Sequence, residues 1–304
     1  MKDGILAVNK PEGISSARVV GRVKRVLGVK KIGHTGTLDP FATGLLLIAV
    51  GKATRISRFF LDGSKVYTAQ VTLGIETDTY DCTGRTVFEA ESQDLNRILP
   101  LDVKNAAAEF AGRQEQVAPS FSALKHNGQP LYKLARRGEM IQKPPRNIEI
   151  FAISVQNIDL PRFEMNVHCS GGTYIRSLAY DLGKKLGCGA HLSGLCRKKS
   201  SSFELENALG LEELEKLDVK AIEPHMISMS DCLSFLPYVI ADPAFEKKIK
   251  HGQRPSNEEI EGKLSPDIPL GDYIRVVDSS NNLLALIEPD KNQGRYNYCC
   301  VFTG

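Results

Sequence analysis

No segment of this 304-residue chain approaches the roughly 18 consecutive apolar residues that a membrane-crossing helix requires, and its N-terminus lacks the apolar stretch of a secretory signal. The expected compartment is therefore the cytoplasm. There is no C-x-x-C pair either. Seven cysteines, an odd number, stand at 82, 169, 188, 196, 232, 299 and 300 without the spacing of a disulfide framework or a structural zinc site, so reduced thiols and no bound metal are expected. The paired H-x-E and P-C-x-x-C signature is missing, which excludes a zinc-dependent base deaminase. Excess charge is scarce too, at +3 net, too little by itself to indicate a nucleic-acid partner.

What is present is a hydrophobic fraction of 42%, sufficient for the cores of one large domain and one small one. The modest net charge conceals a local concentration. Residues 120–146 hold Lys125, Lys133, Arg136, Arg137, Lys143 and Arg146 against Glu139 alone, with Tyr132, Leu134 and Ala135 interleaved and Pro144-Pro145 at the end. Taken alone this is a solvated loop. It also suits a lobe that closes on RNA, cations on phosphates and aromatic rings on exposed bases.

The rest of the chain is arranged around residues 33–51, GHTGTLDPFATGLLLIAVG. The left half, Gly33-His34-Thr35-Gly36-Thr37, is built of turn formers that can aim backbone N–H groups at an anion. The right half, Leu45 to Val50, is an apolar run of the kind found in central strands. Between them Pro40 biases Asp39 toward an extended conformation, which sets one carboxylate on a loop braced by core.

Upstream, residues 5–10 predict a buried strand. The apolar spacing of Val19, Val20, Val23, Val26 and Leu27 predicts a helix capped by Ser15 or Ser16 and closed by Gly28. Its polar face carries Arg18, Arg22 and Arg25, which taken alone are a solvated face; phosphate contact is expected where the run continues through Lys30 and Lys31 into the Asp39 loop. Downstream, residues 53–61 predict a short helix, 65–72 a strand carrying Tyr67, 78–85 a surface loop and 95–110 helical structure. Residues 147–169 predict two alternating strands. Ser170-Gly171-Gly172-Thr173-Tyr174-Ile175-Arg176 opens a helix with an apolar stripe of Ile175, Leu178, Ala179, Leu182 and Leu186. Arg176 in the first turn opposes the helix dipole, a cost of a few tenths to about 1 kcal/mol that a nearby carboxylate would offset. Residues 203–235 form an acidic connector, and 239–304 a small β-rich module with a basic helix at 245–251 and a hairpin turning at 278–282.

The run His34-Thr-Gly-Thr-Leu-Asp39-Pro, followed by Ala42-Thr43-Gly44 and Gly51-Lys-Ala-Thr-Arg55, resembles the bacterial tRNA pseudouridine-55 synthase family, TruB. Ser122-Ala123-Leu124-Lys125 and Gly128-x-x-Leu-Tyr132 continue the likeness through the basic window, which matches that family's thumb insertion. The resemblance implies an α/β (α+β) catalytic domain with a mixed, largely antiparallel sheet over 1–237, the thumb at 119–147, and a PUA-like RNA-binding module over 238–304. It implies Asp39 as the catalytic residue, Tyr67 against the target base, and an ion pair from Arg176 that lowers the Asp39 pKa and keeps it ionised. It further implies substrate contacts from His34, Tyr174 and Leu195. Backbone phosphates fall to Lys125, Lys133, Arg136, Arg137, Arg197 and Lys198. The implied partner is the T stem-loop of tRNA, bound by a monomer with no obligatory protein partner, no cofactor and no metal. The alternative from a different class is an RNA-binding or tRNA-folding protein that does not depend on catalysis.

Overall fold

The run from Leu45 to Val50 is apolar at every position because both faces of its strand are covered. In the computed structural model, which describes residues 3–264, 272–290 and 295–302, this strand is β3 (Thr43–Val50). It pairs antiparallel with β1 (Gly4–Lys10) on one side and with the short β2 (Ile32–His34). Leu46, Ile48 and Val50 point into the larger core, under Val19, Val23 and Leu27 of helix α1 (Ser16–Leu27). Leu45, Leu47 and Ala49 point the other way, into a second core completed by Val277, Leu283, Leu286 and Phe302 of the C-terminal module.

Helix α1 has the ends that its sequence predicts. Ser15 accepts from the Arg18 N–H at 3.3 Å, and Gly28 closes the helix in the left-handed region at φ 63°. On its outer face Arg22 is paired with Glu215.

The remaining strands of the large sheet are β4 (Lys65–Leu73), β5 (Gly112–Gln116), β6 (Arg146–Asp159), β7 (Arg162–Cys169) and β8 (Ala190–Ser200). Their spatial order is β1-β3-β8-β4-β7-β6-β5 within a sheet that counts eleven strands among the described residues. Pairing is antiparallel from β8 to β5, whereas β3 and β8 meet in parallel over Thr43–Gly44 and Cys196–Arg197. Gly44 is required at that meeting: it sits at φ 99°, and a Cβ there would lie 2.5 Å from the Arg197 carbonyl oxygen. Helix α2 (Ile175–Lys185) packs its predicted stripe on the sheet beneath β8.

The expected helix at 53–61 is a 3₁₀ turn, Gly51–Ile56, followed by one α turn, Arg58–Leu61. The thumb leaves the sheet after β5 and returns at β6, and carries a two-residue hairpin pairing Lys125 with Pro130 and the helix Leu131–Ala135. The acidic connector at 203–235 is made of short helical turns and short strands. Beyond them a four-stranded sheet, running from Tyr238–Ile240 to Arg295–Val301, is backed by the helix Pro243–Lys250. The parts of the expected C-terminal module at 265–271, 291–294 and 303–304 lie outside the described residues. No helix among the described residues is long and apolar enough to cross a membrane.

Candidate active site

Asp39 lies in the turn that feeds β3, and the backbone on both sides of it is fixed from neighbouring elements. Ser16 Oγ at the start of α1 donates to the Leu38 carbonyl and accepts from the Leu38 N–H, each at 2.8 Å. The Pro40 carbonyl accepts from the Gly13 N–H at 2.8 Å and from Lys10 Nζ at 3.1 Å. Lys10 is fully buried, and its ammonium also donates to the carbonyls of Ile14 at 2.7 Å and Pro11 at 2.9 Å. Burial lowers its pKa to about 8. Turn geometry alone would leave the loop mobile; these contacts fix where its carboxylate stands.

Arg197 braces the same loop, which corrects the expectation that it holds phosphate. Side chains alternate along β8, so Arg197 turns inward, only 2% exposed, and Lys198 turns outward. The Arg197 guanidinium donates to Leu45 O at 2.7 Å and Gly36 O at 3.1 Å. Those bonds commit its donors to backbone carbonyls, while its side chain lines the cleft beside Tyr67.

The predicted pair of Arg176 with Asp39 is formed. Nε lies 2.9 Å from Oδ2, and Nη2 donates to Oδ1 at 3.4 Å. The arginine side chain is 4% exposed and the aspartate 32%, so the pair has a dry side and a side open to a ligand. Arg176 is itself held from behind. Nη1 donates to Thr79 O at 2.9 Å and to Asp81 Oδ2 at 3.1 Å, and Nη2 donates to Phe121 O at 2.9 Å.

Asp81 corrects the expectation of a plain surface loop at 78–85. It is 3% exposed, and its Oδ1 accepts from Thr79 Oγ1 at 2.9 Å, Thr83 Oγ1 at 2.6 Å and the Thr83 N–H at 2.9 Å. The signal for it was local: a carboxylate with threonines two residues to either side can fold a loop around itself. One guanidinium thus bridges two carboxylates, one locked and one facing the open space.

The electrostatic outcome also differs from expectation. Burial pushes the Asp39 carboxyl above its ordinary range; Arg176 draws it down, Asp81 pushes it up, and burial prevails. Burial, and then Arg197, holds His34 below the usual histidine range, so its neutral form is favoured. Burial raises the Tyr67 hydroxyl, with Arg197 drawing the other way.

Two clefts meet at Asp39. One, of about 460 Å³, has Tyr67, Leu195 and Tyr174 around the carboxylate, with Lys65 and Arg146 at its wall. The other, of about 620 Å³, runs past His34 and Phe121 to Tyr132 and Arg136 on the thumb. The fold therefore gathers Asp39, Tyr67, Tyr174, Arg176 and Leu195 from four separate segments, with His34 and Arg136 on the second side. Lys125, Lys133 and Arg137 are exposed on the thumb and line neither cleft, and Lys198 lies outside both. No group of three or more His, Cys, Asp or Glu side chains among the described residues is arranged to hold a metal ion. Besides Asp81, sequence reasoning missed the bracing roles of Ser16 and Lys10, which come from contacts with residues distant in the chain.

Residues 24–175 match the model of the TruB family pseudouridylate synthase N-terminal domain, and residues 176–233 that of the tRNA pseudouridylate synthase B C-terminal domain. The chain is 41% identical over 276 residues to tRNA pseudouridine synthase B of Geobacter sulfurreducens, covering 90% of each. It is 39% identical over 292 residues to the enzyme of that name from Thermotoga petrophila, covering 96% of this chain and 92% of the other. Among solved structures it superposes on a chain of a Cbf5–Nop10–Gar1 complex with a TM-score of 0.76 at 26% identity, covering 99% of this chain and 85% of that one. Matched by two consecutive domain models and by relatives aligned over nearly its full length, the chain belongs to the TruB family of pseudouridylate synthases.

Proposed function

We propose that this protein isomerises a uridine of the tRNA T loop, at position 55, to pseudouridine. The reaction breaks the N1–C1′ bond, turns the uracil within the site and joins C5 to C1′. The C5 proton leaves to solvent and N1 takes up a proton, so atoms balance without cofactor or oxidant. The observation that carries the reading is the Asp39 carboxylate, held 2.9 Å from Arg176 Nε where two clefts meet.

The target base has to leave its stack to reach Asp39, at a cost of a few kcal/mol that new stacking and phosphate contacts offset. Tyr67 and Leu195 supply the apolar walls for uracil and Tyr174 a further contact, while His34 steadies the displaced nucleotide from the second cleft. Asp39 acts ionised, as the nucleophile or as the base that drives glycosidic cleavage. Arg176 orients it and holds its charge in a partly dry site. Lys125, Lys133, Arg136, Arg137 and Lys198 take phosphates along the thumb and sheet rim. On the C-terminal module, Lys247, Lys250 and Arg254 are exposed at the end of the helix Pro243–Lys250, and we assign them to the part of the tRNA away from the T loop. The protein works as a monomer in the cytoplasm.

The test is tritium release from a tRNA transcript labelled at C5 of uridine. Wild-type protein is expected to release tritium, and both Asp39→Asn and replacement of the T-loop uridine to abolish release. Tight binding without release by the wild type would overturn the catalytic reading in favour of an RNA-binding or tRNA-folding role.

A further inference from the structure

The thumb leaves the sheet at Gln116, the last residue of β5, and rejoins it at Arg146, the first of β6; the two are direct cross-strand partners. Both reach the same residue, Tyr174. The Arg146 guanidinium lies over the Tyr174 ring, 4.3 Å from its centre. Gln116 is buried and takes hold of the Tyr174 backbone at two points: Oε1 accepts from its N–H at 2.8 Å, and Nε2 donates to its carbonyl at 3.0 Å.

Tyr174 is the N-cap residue immediately before α2, two positions before Arg176, and its side chain makes no capping hydrogen bond to that helix. The first turn of an uncapped helix is free to fray or shift. Here an amide from another strand fixes it. Two further bonds continue the seam: Ser177 Oγ donates to Val117 O, and Arg176 Nη2 to Phe121 O, each at 2.9 Å. The outgoing root of the thumb, residues 116–121, is thereby stitched to residues 174–177 at the point where α2 delivers its arginine to Asp39.

We propose that Gln116 is a positioning residue for the isomerisation: by clamping the Tyr174 backbone it sets the start of α2, and with it the Arg176 guanidinium against Asp39. The inference rests on the pseudouridine synthase reading above. Gln116 is buried and lines neither cleft at Asp39. Its effect therefore belongs on the chemical step, where a displacement of about 1 Å in a catalytic group costs on the order of 100-fold in rate, and not on RNA affinity.

Gln116→Glu and Gln116→Leu separate this role from simple packing. Glutamate has the same shape and keeps the acceptor for the Tyr174 N–H, but when ionised it sets an oxygen against the Tyr174 carbonyl. Once protonated it donates there as the glutamine does. Single-turnover tritium release at saturating protein is expected to fall about 10- to 100-fold for both variants at neutral pH, with tRNA Kd within about twofold of wild type. As pH is lowered, the rate of the glutamate variant relative to wild type is expected to recover, while that of the leucine variant stays flat; the ratio cancels the shared titration of Asp39. Should leucine unfold the strand edge, the glutamate variant decides alone. Rates within twofold of wild type, a loss confined to Kd, or no recovery of the glutamate variant on acidification would each overturn the assignment. Absence of release from the wild type would instead overturn the catalytic reading on which it rests.

Discussion

Arg176 is shared between two carboxylates of unlike surroundings, and the division predicts how each will respond to mutation. Asp81, locked by Thr79 and Thr83, anchors one side of the guanidinium, while its charge also raises the pKa of Asp39. Asp81→Asn weakens the anchor and removes the charge together. The expected result is a kcat lowered by about one to two orders of magnitude, because the fork loses its support. The acid limb of the kcat/KM profile is expected to move to lower pH, because Asp39 then ionises more readily. In the wild type that limb is expected above the ordinary aspartate range, since burial holds the Asp39 carboxyl up and the ionised form is the active one. A pH series on both proteins measures the two effects independently; an acid limb moving upward in the variant would refute the assignment. At this scale the sequence exposed Asp39 through its unusual setting and Arg176 through its opposition to a helix dipole. It hid Asp81 in a polar stretch that composition alone assigns to solvent, and it suggested a phosphate role for Arg197 because a cation followed by two lysines looks exposed until strand alternation is counted.

At the scale of elements, the thumb stands out because its cations are exposed while its apolar residues fold inward. Lys133, Arg136 and Arg137 face solvent, whereas Leu131, Leu134 and Ala135 are buried, and the Arg136 guanidinium lies 5.8 Å from the centre of the Tyr132 ring. Charges so placed act on phosphate without specifying sequence. Replacing all three with glutamine is expected to weaken tRNA binding and to reduce the slope of log affinity against log salt by about 2 to 3, with the melting temperature unchanged. A filter-binding titration across salt concentrations checks this, and an unchanged slope would remove the thumb from the RNA interface. The helices and strands themselves were largely legible where periodicity ran long, as in α1, β3 and α2. Residues 51–61 and 203–235 were not, since isolated turns have no repeat to read and their ends are set by what they pack against.

For the whole molecule, the C-terminal module closes a core of the catalytic sheet. Phe302 lies among Leu45, Leu47 and Ile56, under Arg55 at 5.1 Å from its ring centre, while Lys52 donates to its carbonyl at 3.0 Å. Phe59 meets Tyr273 edge-on at 5.0 Å across the same junction. Phe302→Ala is therefore expected to cost about 3 kcal/mol, and to lower the stability of both parts in a single cooperative transition. Denaturant unfolding followed by circular dichroism and by tyrosine fluorescence tests it; a transition confined to the module would mean that the two parts fold independently.

The sequence by itself determined which segments are buried, where α1 begins and ends, that one carboxylate sits between a polar turn and a core strand, and that the basic charge gathers in one insertion. These are properties of neighbours in the chain, and local sterics and periodicity carry them. Only the tertiary structure decided that Arg176 answers to Asp81 as well as Asp39, that Arg197 and Lys10 are spent on backbone carbonyls, and that Gln116 reaches across the sheet to Tyr174. Those roles follow from contacts between residues some 30 to 150 positions apart, whose partners no single stretch of sequence contains.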